Sequence, residues 1–264
     1  MKITGTATAP ALSDRRPEQN CLLLFRAGPL PRITDFQKGK MYMNSVQFFS
    51  QMEGEQATGL RSDALEKTQL KLKSSNTQES ASYFTIEING EEIHPGDGAV
   101  LHTDIPNPSN IFIFSMAALA DGPDGKIPGE KNGIVELSKR FSEFGDHAII
   151  IRKQREFSKR LSSAIESNPY LFSSPVLEGG HGLVEYTDTK THSGILGLFR
   201  KDLQYSWQRE YRFCLGAHDE ALNSRGALEL NIGDISDISE IIPIENFLSS
   251  PITIKRRTLH YLPS

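Results

Sequence analysis

Three regions of this sequence carry side chains whose types and spacing suit chemistry. Arg26 closes the apolar run Cys21-Leu22-Leu23-Leu24-Phe25. A guanidinium at the mouth of a sheet grips phosphate in a bidentate fork, although a strand-end surface charge is its plainer use. Ser115 follows Ile111-Phe112-Ile113-Phe114, the most hydrophobic stretch of the chain. It reads as a strand-end hydroxyl, or as the cap of a helical turn over Met116 to Leu119. Tyr205–Phe213 alternates strictly around the only tryptophan. As one strand it would put Trp207, Arg209, Tyr211 and Phe213 on one face and Gln208, Glu210 and Arg212 on the other. A half-buried edge strand with a solvated polar face gives the same alternation. The functional alternative aims Glu210 and Gln208 into a cleft. A charged knot, Arg61 to Lys67 with Asp63 and Glu66, invites a metal-nuclease reading, but it lies among loop residues.

The elements that must position these residues are short. Leu30 to Lys38 reads as a helix, with Leu30, Ile33 and Phe36 at helical spacing and Gly39 as its stop. Lys40–Ser45 reads as a strand running into a helical turn at Val46–Met52 that Ser45 could cap. Phe48, Phe49 and Met52 in that turn read first as core. Tyr83–Asn89 alternates as a strand, and Asn89-Gly90 predicts a hairpin into Glu91–His94. Gly122–Gly133 is a Pro/Gly-rich loop. Ile134–Phe144 and Glu156–Ile165 read as amphipathic helices, and His147–Ile151 as a buried strand. Gly226–Ile232 and Ile238–Ile244 read as closing strands, and Ile254–Arg257 as a basic, solvated tail. About ten short strands with three or so helices predict an α+β fold with a mixed, mainly antiparallel sheet. Residues 1–19 read as a flexible leader and 20–264 as a single α+β domain.

Composition narrows the function classes. The 264 residues are 38% hydrophobic and 23% charged, with a net charge of −4. The isoelectric point is about 6.0 and the mean hydropathy −0.38. A broad basic surface for nucleic acid is therefore not expected, although a local basic cleft is compatible. Cys21 and Cys214 stand alone, without CxxC or His/Cys spacing, so no metal site is expected and a cytoplasmic protein with buried thiols is. No stretch has the length and apolarity of a membrane span or a signal peptide. GxGxxG, GxxxxGK and GxSxG are missing, which removes the commonest nucleotide and hydrolase folds.

An Arg ending an early strand, a Ser in a middle apolar strand and a Gln-x-Glu in a late one come in a telling order. Arg26, Ser115 and Gln208-Arg209-Glu210 resemble the Arg–Ser–Glu arrangement of the ADP-ribosyltransferase superfamily. Lys40–Ser45, Ile111–Ser115, His147–Arg160 and Trp207–Phe213 are also similar to an uncharacterised bacterial family associated with defence and toxin loci, whose late strand reads aromatic-x-x-Glu-x-Arg. The resemblance implies a split antiparallel sheet with a few flanking helices, binding NAD in its cleft as a substrate, without metal. It implies an NAD-dependent transferase, a bacterial toxin or antiphage effector, that modifies a nucleic acid or protein. A toxin would also have a neutralising antitoxin partner.

By that resemblance, Arg26 binds a phosphate or the adenosine ribose and Ser115 fixes the nicotinamide side. Glu210 accepts a hydrogen bond from the ribose 2′-hydroxyl and stabilises the ribosyl cation. Gln208 positions the acceptor, and Tyr42 or Phe48 stacks on the nicotinamide. Glu210→Gln should then abolish turnover with little effect on melting. The alternatives are a non-catalytic interaction or sensor module on a related sheet, and a metal-dependent nuclease using Asp63 and Glu66.

Overall fold

The computed structural model describes residues 2–5, 21–52, 60, 65–77, 80–82, 84–122 and 124–255. Its centre is a nine-stranded antiparallel sheet. In chain order its strands are β1 (Cys21–Gly28), β2 (Lys40–Ser45), β3 (Ile111–Ala120), β4 (His147–Ile151), β5 (Leu171–Phe172), β6 (His181–Leu183), β7 (Glu210–Ala217), β8 (Leu228–Asn231) and β9 (Ser239–Pro243). The main path runs β5-β7-β3-β1-β4-β9, with β6 also on β7, β2 also on β3, and β8 on β2. Among the described residues four α-helices flank it: α1 (Leu30–Gln37), α2 (Val46–Gln51), α3 (Gln154–Glu166) and α4 (Ile244–Ser249). The α+β, mainly antiparallel class expected from sequence therefore holds. Among the described residues no helix is long and apolar enough to cross a membrane.

Strand β3 is the axis of the sheet. One edge pairs with β7 from Ile111↔Gly216 to Ala117↔Glu210. The other edge is shared. Its start pairs with β2 at Phe112↔Ser45 and Ile113↔Asn44, and its end pairs with β1 from Ala117↔Phe25 to Ala120↔Cys21. Between those two partners, Phe114, Ser115 and Met116 meet no strand on that edge among the described residues, so the sheet is split there. The split exists because β1 and β2 are joined through α1, which pries them apart. Ile33 and Phe36 of α1 are buried. Gly39 then turns the chain with φ 98°, at a point where a Cβ would collide with the backbone of Gly233. Only glycine meets both demands.

Alternation along β3 divides the core. Phe112, Phe114, Met116 and Ala118 join Leu24, Met41, Met43, Phe157 and Leu161 on the face covered by α1 and α3. On the other face Ile111 and Ile113 join Val46, Leu198, Phe199 and Cys214. Further along that face Ala117 joins Phe25, Phe141, Ala148 and Ile244. Phe25 is fully buried, with its ring edge-on to Phe141 at 5.0 Å and to Phe247 at 4.9 Å. Phe25→Ala is expected to cost about 3–5 kcal/mol of stability, the usual range for emptying such a site. A urea titration measures this, and an unchanged midpoint would contradict the packing described.

Several sequence expectations are corrected. Tyr205–Phe213 is not one strand. Leu203–Gln208 forms a 3-10 helix capped by the Asp202 side chain, Arg209 takes a left-handed conformation (φ 48°), and β7 begins only at Glu210. Trp207 and Arg209 thus leave the strand face they were expected to share with Tyr211 and Phe213. β3 does not end on Ser115 and no helical turn follows. Met116 to Ala120 has helix-forming composition, but pairing on both edges overrides that weak propensity. Ile134–Phe144 is not a helix. Ile134–Val135 pairs with Ile252–Thr253, and Lys139–Phe144 is a 3-10 helix started by Ser138 and ended by Gly145.

At the other end, Lys2–Gly5 of the expected leader pairs with residues 84–87. Residues 6–20, Asp63, and Arg256–Arg257 of the expected tail lie outside the described residues. The Asn89-Gly90 hairpin forms as expected, with φ 54° and 85° at its two turn residues.

Candidate active site

The polar residues of the split interrupt an otherwise apolar sheet face. In the β3–β7 register Ile113 faces Cys214, Ser115 faces Arg212 and Ala117 faces Glu210. Ser115, Arg212 and Glu210 thus fall between two apolar clusters, and Arg212 and Glu210 are buried. A charge placed there must be paired. Glu210 is paired three times. Oε1 accepts from Ser115 Oγ at 2.5 Å and from Arg212 Nε at 2.7 Å, and Oε2 accepts from Lys201 Nζ at 2.9 Å. Its backbone N–H donates to the Tyr186 hydroxyl at 2.8 Å. Arg212 continues the chain of charge to Glu66 Oε1 at 2.6 Å and donates to the Leu198 carbonyl at 2.5 Å. Glu66, Arg212, Glu210 and Lys201 form a buried quartet with two charges of each sign.

Lys201 and Tyr186 arrive together. They face one another in a short parallel pair of strands, Glu185–Thr187 with Arg200–Asp202. Lys201 Nζ also lies 3.3 Å from Gln208 Oε1 and 5.2 Å from the Tyr205 ring centre. The Gln208 amide nitrogen donates to the Leu60 carbonyl at 2.9 Å. The 3-10 helix and the left-handed Arg209 therefore do what strand alternation was expected to do, turning Gln208 and Glu210 toward the same space. Arg209 is held in that conformation by Ala118 N–H, which donates to its carbonyl, and by its own guanidinium on the Pro128 carbonyl at 2.8 Å.

Arg26 stands on the other face of the sheet, with Leu24. Its guanidinium carbon lies 4.2 Å from the Phe114 ring centre. One of its nitrogens donates to the Ser115 carbonyl, a backbone acceptor that the split leaves without a strand partner. So Arg26, Ser115 and Glu210 meet at one gap, reached from both faces.

A cavity of about 690 Å³ passes through this gap. Its wall includes Arg26, Tyr42, Phe48, Ser115, Gln208 and Glu210, every residue that the sequence marked for a dinucleotide site. The volume is within the ~300–1,000 Å³ range of pockets that bury small ligands. Tyr42 and Phe48 are 36% and 44% exposed, so Phe48 is not the core residue its sequence context suggested. The cap on α2 is the one expected, with Ser45 Oγ accepting from Phe48 N–H at 3.1 Å. Phe141 and Phe144 line the wall as well, and Arg32, Lys40 and Arg225 add exposed cations to it.

Sequence reasoning missed Lys201, Tyr186 and the bond between Arg212 and Glu66. Lys201 sits in Arg200-Lys201-Asp202, where all three residues are charged and no alternation of polarity says which one points inward. Glu66 is a buried partner of Arg212. Among the described residues no group of three or more His, Cys, Asp or Glu side chains is placed to hold a metal ion.

The electrostatics of the quartet fix the protonation of Glu210. Burial alone would push its carboxyl up. Arg212 and Lys201, with hydrogen bonds from Arg212 and Ser115, outweigh burial and hold it well below the usual carboxylate range. Burial, with the Glu210 charge added, pushes the Tyr186 hydroxyl up, so it stays protonated. Because the folded-state value of Glu210 lies below the unfolded one, its stabilising contribution is complete above an unfolded pKa of about 4.3 and is lost as pH falls below that. Urea midpoints measured from pH 5 down to pH 3 should fall more steeply for the wild type than for Glu210→Gln. Parallel slopes would contradict the ionised, paired carboxylate.

Compared with protein-family models, curated proteins and solved structures, the chain matches none of them.

Proposed function

We propose that this chain is an NAD-dependent ADP-ribosyltransferase, acting as a toxin or antiphage effector on a macromolecular acceptor. The observation that supports it best is the convergence of Arg26, Ser115 and Glu210 on one cavity at the split of the sheet. A dinucleotide has two anionic phosphates, two riboses and two flat rings. The cavity offers guanidinium for the phosphates, a carboxylate with a hydroxyl for a ribose, and the aromatic rings of Tyr42, Phe48, Phe141 and Phe144 in its wall.

The chemistry asks for little acid–base machinery. The bond between nicotinamide and ribose breaks through an oxocarbenium-like cation, as in glycoside cleavage. Glu210 supplies a fixed negative charge beside the developing cation, and such preorganised groups carry much of a rate enhancement. Ser115 orients that carboxylate by its short bond. Arg26 faces the gap from the opposite side of the sheet, where it would hold the pyrophosphate. Gln208 is engaged with Lys201 and Leu60, so its part is to position Lys201 and one wall of the cavity rather than to meet the acceptor directly.

A second reading has its own support. Three donors already occupy the two oxygens of Glu210. A carboxylate so satisfied suits a site that binds a dinucleotide without cleaving it. The two readings separate in one assay. With NAD labelled in the nicotinamide ring and cellular RNA, DNA or protein as acceptor, a transferase releases labelled nicotinamide. A binding module binds NAD and releases none.

A further inference from the structure

Among the side chains lining the cavity, Lys201 is the one buried cation that the proposed reaction leaves without a task. It is 5% exposed, lies 2.9 Å from the Glu210 carboxylate and opens onto the same cavity. Burying an ammonium is costly unless it is paired, and the Glu210 carboxylate is its partner.

The rest of the wall restricts the acceptor. Among the described residues it includes no histidine and no cysteine, and its carboxylates are Glu210 and the exposed Asp35. Glu210 accepts three hydrogen bonds and is held ionised, so it is a poor proton acceptor. An acceptor hydroxyl must lose a proton as it attacks, and among the described residues of this wall no buried side chain is placed to take it. A carboxylate has no such proton to lose.

We infer that the acceptor is a carboxylate, an Asp or Glu side chain of a target protein, recognised by the Lys201 ammonium beside Glu210. This rests on the transferase reading above. In the step, a carboxylate oxygen bonds to the nicotinamide-ribose C1″ as the C1″–N bond breaks. The bonding pair leaves with nicotinamide, which turns from a pyridinium into a neutral ring. One negative and one positive charge are consumed, and no proton is released. Lys201 turns part of its hydrogen bonding from Glu210 to the incoming carboxylate. That positions the nucleophile and frees one Glu210 oxygen for the cationic ribose.

The test uses the full chain, NAD labelled in the adenylate, and three probes: an Asp/Glu-rich peptide, a Ser/Arg-rich peptide and a 5′-phosphorylated single-stranded oligonucleotide. The expected result is label on the acidic peptide, removed by neutral hydroxylamine as an ester is, with no proton released per nicotinamide. Lys201→Met should lower that transfer roughly 10–100-fold, the loss of one charge-assisted hydrogen bond. Lys201→Arg should recover part of the transfer. Circular dichroism of each variant checks folding, and the wild-type linkage chemistry needs no variant. Hydroxylamine-resistant label, one proton per nicotinamide, preference for the oligonucleotide, free ADP-ribose alone, or undiminished transfer by Lys201→Met each overturn the carboxylate acceptor while the NAD-cleaving reading stands. No nicotinamide release with any probe overturns that reading and the acceptor with it.

Discussion

Replacing Arg212 by methionine is expected to destabilise the fold by about 3–5 kcal/mol, because two buried carboxylates then face each other without their shared counter-ion. Arg212 is 1% exposed and binds Glu210 at 2.7 Å and Glu66 at 2.6 Å. Removing it leaves Lys201 to neutralise two charges. For a domain of this size the melting temperature should fall by roughly 6–20 °C. A second variant separates lost attraction from stranded charge. Glu66→Leu added to Arg212→Met removes one of the stranded carboxylates, so the pair should cost clearly less than the sum of the singles. Additive losses would mean that the quartet is not one electrostatic unit.

Glu210→Gln should lower nicotinamide release about 100–1000-fold, the usual effect of removing one preorganised group that stabilises charge in a transition state. The structure changes what accompanies this loss. From sequence, Glu210 stood on a polar strand face and its amide variant should have melted like the wild type. In the fold the carboxylate is buried between Arg212 and Lys201, and the neutral amide leaves two cations facing only Glu66. A fall in melting temperature is therefore expected together with the loss of turnover. Assays must run well below the variant's melting transition, with circular dichroism confirming that it is folded. A folded Glu210→Gln that releases nicotinamide at the wild-type rate would remove Glu210 from the chemistry.

What the sequence revealed follows from how local each signal was. Lys40–Ser45 and His147–Ile151 form the strands expected, because apolar residues between turn formers have few other uses. The Asn89-Gly90 hairpin and the Ser45 cap were legible for the same reason. Arg26 and Ser115 could be singled out because each ends an apolar run with one polar residue, and Glu210 because it lies in a strict alternation around Trp207. Their meeting at a split could not be read from spacing. It depends on α1 spreading β1 and β2, a long-range consequence of packing.

The failures have physical causes too. Tyr205–Phe213 alternates as a strand would, but the Asp202 cap and the bonds holding Arg209 left-handed break it at Glu210. Met116–Ala120 favours a helix on its own and is held extended by β1 and β7. Lys201 carried no signal at all. A lysine between an arginine and an aspartate looks solvated until Tyr186 and Glu210 are seen on either side of it.

The most direct test is a crystal structure of the chain with an unhydrolysable NAD analogue. The account predicts the analogue in the split, with its nicotinamide ribose hydrogen-bonded to Glu210 and its pyrophosphate against the Arg26 guanidinium. An analogue bound on another surface, or an empty split at saturating ligand, would contradict it.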